Sequence, residues 1–186
     1  KRKDGTTFPI EVSCYKLSYG GTNYNCTFVR DITERKEAEE ALRKSEQLFN
    51  TLAQISPVGI FRTRPDGKTT YVNPKWCQLS GLNSEKAMDD NWIHAVHPED
   101  REKILSGWKD KIGRFDSSNA EYRFLHPDGR IIWVMGQAIP EFSEDNQIIG
   151  YVGTITDITE QKLIEQELRE NEEKFRTIIE QATEGF

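Results

Sequence analysis

The sequence predicts an α+β fold: a five-stranded antiparallel sheet with its helices on one face, flanked by amphipathic helices. Two strand-like runs precede a central helical region and three follow it. Turn residues such as Pro65-Asp66-Gly67 and Pro127-Asp128-Gly129 separate neighbouring runs. Charged helical runs at 34–55 and 161–181 lie outside this order, with apolar residues every three or four positions. Strands joined by tight turns pair antiparallel, and helices grouped between them cover one face of the sheet.

A repeat of about one domain length organises the chain. Asp4-Gly5 recurs as Asp128-Gly129, and Asp31-Ile32-Thr33-Glu34 recurs as Asp157-Ile158-Thr159-Glu160. Four parts follow from this repeat. Residues 1–33 are the C-terminal hairpin of a preceding unit, and 34–55 form a linker helix. Residues 56–158 are a complete unit, and 159–186 are an exit helix with the start of a following unit. We therefore expect a piece of a longer tandem array.

Composition excludes several classes of function. The 186 residues are 35% hydrophobic and 30% charged, with a net charge of −6. This acidic balance disfavours nucleic acid as a partner. No run reaches the roughly 18 apolar residues that span a bilayer, so we expect a cytoplasmic location and no membrane contact by this segment, with any anchor elsewhere in the parent protein. No Gly-rich phosphate loop, Ser-His-Asp pattern or metal triad is visible. We therefore expect no catalytic residue, no metal site and no enzymatic activity here.

The central helices have recognisable starts. Asn73-Pro74 predicts one helix, with Asn as N-cap and Pro at the first helical position. His97-Pro98 predicts a longer helix that runs to Ile112 and carries two carboxylates in its first turn. The neighbouring pair His94 and His97 also permits a metal or haem hypothesis. Capping and packing explain both histidines with fewer assumptions.

Five short motifs lie between residues 45 and 160. They are Tyr71-Val72-Asn73-Pro74, Leu79-Ser80-Gly81, His97-Pro98-Glu99-Asp100-Arg101, Tyr122-Arg123 with Asp128-Gly129 and Trp133, and Gly153 with Asp157-Ile158-Thr159. Together they resemble the PAS sensor-domain family with its C-terminal (PAC) motif, and 1–33 and 172–186 resemble parts of further copies. The resemblance implies a five-stranded sheet that cradles a small helical bundle.

The same resemblance implies a function. It suggests a regulatory sensor or signal-relay module that passes ligand- or dimer-dependent changes from the sheet to the exit helix. The alternative is a ligand-free dimerisation or spacer module. The parent protein would then be a histidine kinase or a cyclic-dinucleotide enzyme, with neighbouring PAS-like units and an output domain in the same chain.

By analogy with the family, a ligand pocket would lie between the inner face of the sheet and the long helix. The small Gly136 and Ala138 either leave room for a ligand or let the helix approach closely, and we expect close packing because large aromatic residues flank the space. The ligand stays open. Asn91-Trp92-Ile93-His94 stands where light-sensing members carry a reactive Cys, which disfavours a flavin photoadduct, and the long helix has no His in its body, which disfavours haem. The candidate pocket residues are Ile104, Trp108, Tyr122, Phe124, Val134, Gly136, Ala138 and Ile155.

Asp157, Ile158, Thr159 and Glu160 form the predicted signal-transfer junction between the last strand and the exit helix. We expect Thr159 to N-cap that helix and Glu160 to complement its positive end. Ile158 should pack onto the domain, and Asp157 should tie strand to helix through a hydrogen bond or ion pair. A plain capping sequence without a switching role is the alternative.

The outer face of the sheet predicts an apolar patch that needs a cover. Two covers are possible: the chain's own helix 34–55, or a second molecule. Apolar stripes at heptad-like spacing on both flanking helices favour a parallel homodimer, weak in isolation. The residues assigned to dimer or linker packing are Leu48, Phe49, Leu52, Trp133, Met135, Ile164, Leu168 and Phe175.

Overall fold

The computed structural model describes residues 5–112 and 117–184, with side chains up to residue 179. It divides into two compact units, Lys1–Leu52 and Ala53–Phe186. The first four residues of the predicted hairpin and the last two of the predicted following unit lie outside the described residues. None of the described helices is long and apolar enough to cross a membrane.

The first unit is a β-hairpin followed by a helix. β1 (Ile10–Tyr19) pairs antiparallel with β2 (Thr22–Asp31) along its whole length. Gly20 and Gly21 form the turn, with φ values of 58° and 80°. A two-residue hairpin turn requires this left-handed conformation, which glycine adopts without a steric penalty. α1 (Thr33–Ile55) follows, and its last three residues belong to the second unit.

The second unit contains a five-stranded antiparallel sheet, which confirms the predicted fold class. The last strand of this unit lies between its first strand and the strand that precedes it in sequence, so the chain leaves the domain from the middle of the sheet. In spatial order the strands are β4 (Thr69–Val72), β3 (Gly59–Thr63), β7 (Ile148–Asp157), β6 (Ile131–Phe142) and β5 (Ser118–Leu125).

Two helices of the second unit begin where the cap residues Asn73 and His97 predict. The Asn73 side chain accepts a hydrogen bond from the Trp76 N–H, and Gly81 ends that helix with φ 72°. The His97 side chain accepts from the Glu99 N–H at 3.4 Å, with proline in the first helical turn. The elements are α2 (Pro74–Ser80), two short 3₁₀ turns (Glu85–Ala87 and Asn91–Ala95), α3 (Pro98–Lys111) and α4 (Thr159–Glu184).

Asn73 does more than cap α2. Its side chain is fully buried, and its oxygen also accepts from the Ile60 N–H at 2.7 Å. Its amide nitrogen donates to the carbonyls of Ala53 at 2.9 Å and Val58 at 3.0 Å. One side chain therefore joins the end of α1, the start of β3 and the first turn of α2, and it satisfies backbone groups that are buried or partly buried.

Aromatic residues on the inner face of the sheet form much of the core. The Phe124 ring meets Trp76 edge to face at 5.9 Å between centroids, and Tyr122 at 5.5 Å. Trp108 on α3 meets Tyr151 on β7 in the same way at 5.2 Å. Such pairs stabilise the core beyond the burial of their area, and they fix the height of α2 and α3 above the sheet.

Candidate functional site

A cavity of about 300 Å³ lies between the inner face of the sheet and α3. The strands leave this space because small residues face one another across β5 and β6, in the register pairs Ala120–Gly136 and Ser118–Ala138. α3 does not fill this space either, because Gly107 lies on the face that lines the cavity and has no side chain. A Cβ built at Gly107 meets nothing within 4 Å. The described lining residues are Phe61, Thr63, Gly67, Thr69, Trp76, Trp92, Lys103, Ile104, Gly107, Trp108, Lys111, Ser118, Asn119, Ala120, Tyr122, Gly136, Gln137, Ala138 and Ile155.

The structure brings six of the eight predicted pocket residues to the cavity wall. Phe124 and Val134 do not line it, because both are fully buried in the solid part of the core. The expected close packing holds only locally. A Cβ on Gly136 would lie 3.0 Å from the Tyr122 ring, so this ring packs directly on the glycine. Beside that contact the sheet and α3 stay apart, which corrects the expectation of a closed core.

Several wall residues were missed by the sequence argument. Phe61 and Trp76 come from β3 and α2, elements that the argument did not assign to the pocket. Lys103 and Lys111 line the cavity from α3, each four residues from Gly107, so helical spacing places the three on one face. That spacing was the available signal, but lysines on a helix ordinarily indicate a solvated face.

Tyr122 places a hydroxyl at the cavity wall. The residue is only 6% exposed, and within the described part of the chain its hydroxyl has no hydrogen-bond partner. Burial raises the pKa of the Tyr122 phenol well above its usual range. The group therefore keeps its proton at neutral pH and is available as a donor to a bound molecule.

The junction between sheet and exit helix is a short chain of hydrogen bonds. The Ile158 N–H donates to the Trp133 carbonyl at 2.9 Å, and the Trp133 N–H donates to the Thr159 hydroxyl at 3.0 Å. The Thr159 N–H donates to an Asp157 carboxylate oxygen at 2.9 Å. Ile158 is buried against the domain, and Glu160 is exposed in the first turn of α4.

The cap of α4 is therefore not the one expected. Thr159 was predicted to be the N-cap, but α4 begins at Thr159 itself. Its hydroxyl lies beside β6 and accepts from that strand, and the carboxylate of Asp157, two residues before it, accepts from the first N–H of the helix instead. Both side chains still join strand to helix, with their roles exchanged.

The first junction, Asp31-Ile32-Thr33, repeats this geometry with one difference. The Thr33 N–H donates to Asp31 at 2.9 Å, and the Ile32 N–H donates to the Pro9 carbonyl at 3.1 Å. Pro9 occupies the place that Trp133 has in the second unit, and proline has no N–H to donate. The Thr33 hydroxyl instead donates to Asp31 at 2.5 Å. Among the described residues, the first junction thus lacks the bond between its threonine hydroxyl and the neighbouring strand.

Two cations cover Trp133 on the outer face of the sheet. The Arg123 guanidinium lies 5.5 Å and the Lys162 ammonium 5.8 Å from the centre of its ring, which is within the range of cation–π attraction. Lys162 also pairs with Glu121 at 2.7 Å and Glu165 at 3.2 Å. Trp133, the aromatic residue of the predicted patch, is therefore partly covered by two cations, one of them from the first turn of α4, and neither predicted cover included them.

Arg123 links this cover to the start of α3. It pairs with Asp100 at 2.6 Å and Glu99 at 2.9 Å. The hydrogen bond from Arg123 is the main reason that the pKa of Asp100 lies below its usual range. His94 is exposed and His97 caps α3, and among the described residues no three His, Cys, Asp or Glu side chains converge as a metal site would require.

Comparison with known proteins identifies the fold and the family. The PAS fold matches residues 69–155, and a PAS domain matches residues 1–34. The PAS domain of a protein from Colwellia psychrerythraea superposes with a TM-score of 0.53 at 25% identity, covering 61% of this chain and 97% of that one.

Two curated relatives extend the likeness. An uncharacterized protein y4lL of Sinorhizobium fredii is 34% identical over 75% of this chain. The peroxide stress-activated histidine kinase mak1 of Schizosaccharomyces pombe is 29% identical over 80% of it. The chain spans only 17% and 10% of the lengths of these two relatives. The motifs, the sheet order and these matches agree, and the chain belongs to the PAS-domain family.

Proposed function

We propose that this chain is a regulatory sensor and relay module of a larger signalling protein. Residues 56–158 form its complete PAS-like domain, which responds to occupancy of the cavity or to its neighbours. The junction 157–160 passes that response to the exit helix. Residues 1–33 are the end of a preceding unit, and 34–55 are the linker between the two.

The observation that carries this proposal is the double role of β6. Gly136 and Ala138 on this strand line the cavity, and Trp133 on the same strand holds Ile158 and Thr159 by hydrogen bonds. Gly136 stands three residues from Trp133, which is about 10 Å along a strand. A ligand that moves β6 therefore acts on the first turn of α4 through two hydrogen bonds.

The test is Asp157→Ala in the full-length parent protein. Loss of this cap costs about 0.5–2 kcal/mol of stability, which leaves the domain folded, and we expect the output activity of the parent to change. Asp145→Ala, at an exposed position in the turn between β6 and β7, is the matched control and should leave output unchanged. Unaltered output in a folded Asp157→Ala protein would reduce the junction to a helix cap.

We assign the catalytic output to a domain outside this chain. A histidine kinase among the relatives supports a kinase output, and a cyclic-dinucleotide enzyme is the other candidate.

Haem, and a flavin that could form a photoadduct, fit the cavity poorly. A protein cavity of about 150 Å³ holds one benzene, so about 300 Å³ is small for either cofactor. Cys77 does not line the cavity, and burial raises the pKa of its thiol.

A homodimer is the second candidate function, as a ligand-free spacer or as part of the relay. The exit helix carries Ile164, Leu168, Phe175 and Ile178 at heptad-like spacing, and each is more than half exposed. On α1, Leu48, Phe49 and Leu52 are also more than half exposed.

Sedimentation equilibrium tests this. We expect a weak monomer–dimer equilibrium that Phe175→Glu weakens and Glu173→Gln, on the same helix, does not. A strict monomer well into the high-micromolar range would remove the dimer.

A further inference from the structure

We infer that the cavity binds a small aromatic carboxylate with a polar ring substituent and about ten to fourteen non-hydrogen atoms. This inference rests on the proposed relay function and names the class of ligand that drives it. It draws on the volume of the cavity, its walls, its charge and one hydroxyl without a partner.

The volume sets the size of the ligand. A protein cavity of about 150 Å³ accommodates benzene, with its six non-hydrogen atoms. A cavity of about 300 Å³ therefore accommodates roughly twice that number at similar packing. Two fused rings, or one ring with short substituents, have this size.

The walls favour a planar ring over an alkyl chain. Phe61, Trp76, Trp92 and Trp108 all line the cavity. Aromatic rings prefer edge-to-face and offset-stacked contacts with other rings, and four such walls offer several of these at once. The indole N–H of Trp108 is already occupied, since it donates to the Gly67 carbonyl at 3.3 Å.

The charge at the cavity favours an anion. Lys103 and Lys111 contribute to its lining, and none of the described lining residues is acidic. The sign of the charge on the lining residues is therefore opposite to that of the whole chain, whose net charge is −6. Within the part of the chain that the structure describes, Lys103 makes no ion pair. A carboxylate at this position would receive a charge-assisted hydrogen bond from it.

The Tyr122 hydroxyl favours a ligand with a second polar atom, one that accepts a hydrogen bond from this hydroxyl. The residue is 6% exposed and protonated, and its hydroxyl has no partner among the described residues. The hydroxyl oxygen remains accessible from the cavity, so a ligand oxygen can accept a hydrogen bond from it in a largely apolar site. The ligand therefore needs a carboxylate that pairs with Lys103 and a hydroxyl or oxo group that accepts a hydrogen bond from Tyr122.

Isothermal titration calorimetry on the whole chain tests this with three probes of matched size: 6-hydroxy-2-naphthoate, its neutral 6-hydroxy-2-naphthamide, and the saturated 3-hydroxyadamantane-1-carboxylate. We expect one site, with 6-hydroxy-2-naphthoate tighter than the other two by about five-fold or more. Absence of saturation at millimolar concentration, or equal affinity for all three, would overturn the inference.

Variants locate the site. Lys103→Met should weaken binding of the carboxylate about five-fold and leave the amide unchanged, whereas Lys109→Met, on α3 but outside the wall, should change neither by more than about two-fold. Tyr122→Phe should weaken both naphthalene probes several-fold. Ala120→Leu fills the cavity and should abolish binding; unchanged binding by this variant, with a native melting curve, would place the ligand elsewhere. If Ala120→Leu does not fold, the Lys103 and Lys109 pair still decides the matter.

This experiment separates the inference from the relay function. Binding is measured on the chain alone, and output is measured in the parent protein with Asp157→Ala. Specific binding with unaltered output in that variant would refute the relay and support the site. Altered output without binding of any probe would refute the ligand class and support the relay.

Discussion

Thr159→Val tests the hydrogen bond that joins the sheet to the exit helix. Valine has the shape of threonine but lacks the hydroxyl, so the Trp133 N–H loses its acceptor, at 3.0 Å in the native protein. An unsatisfied buried donor costs about 1–3 kcal/mol. Trp133 is only half-buried, and partial access of water places the expected loss at about 1–2 kcal/mol. That corresponds to a fall in Tm of roughly 3–8 °C for a domain of this size.

Thr33→Val is the matched control. Thr33 occupies the same position in the first junction, but its hydroxyl donates to an exposed Asp31, and Pro9 has no N–H to leave unsatisfied. The intrinsic change in helix propensity is the same at both sites. We expect Thr33→Val to shift the unfolding of the second unit by less than about 0.5 kcal/mol.

Tryptophan fluorescence is the suitable assay, because all four tryptophans lie in the unit Ala53–Phe186. Urea or thermal unfolding followed by this signal therefore reports the second unit alone. Equal shifts for Thr159→Val and Thr33→Val would show that the strand bond contributes nothing beyond the local turn. A native melting curve for Thr159→Val would refute the reasoning outright.

Two further predictions concern stability. Asn73→Asp keeps the cap oxygen but removes both donors to buried carbonyls, and it should cost about 2–5 kcal/mol in urea unfolding. Asn83→Asp, at an exposed cap, should cost less than about 1 kcal/mol, and similar losses would contradict the joining role of Asn73. Asp100 has a lowered pKa because Arg123 bonds to its carboxylate, so its contribution is full above the unfolded pKa of about 3.9 and disappears as pH falls through the lower folded value. The stability advantage of wild type over Asp100→Asn should therefore shrink below about pH 4, and an advantage independent of pH would exclude this ion pair as its source.

Local signals made much of the fold predictable. The caps at Asn73 and His97 and the turns at Gly67 and Gly129 depend on a few adjacent residues, and the structure has each of them where the sequence indicates. The resemblance to the PAS family, rather than the local pattern, identified Gly136 and Ala138 as facing the cavity. The caps and turns need only the signals of adjacent residues, which the sequence contains directly.

The open cavity and the cover of Trp133 depend on distances between elements. Small residues at Ala120 and Gly136 indicate space only when the β5–β6 register pairs them, and register is a non-local property. Lys162 belongs to the charged run 161–181, and no local pattern in that run indicates Trp133. Its long side chain places the ammonium 5.8 Å from the centre of the Trp133 ring.

The two junctions share a sequence motif but differ in the hydrogen bonds that connect the motif to the neighbouring strand. Both contain Asp-Ile-Thr, and in both the threonine N–H donates to the aspartate. The second bond to the neighbouring strand depends on a residue outside the motif: Trp133 supplies an N–H, and Pro9 has none. Among the described residues, the second junction therefore has a bond between its threonine hydroxyl and the neighbouring strand that the first junction lacks. Under the proposed relay, the residue that opposes the motif on the neighbouring strand sets how tightly the exit helix is tied to its sheet.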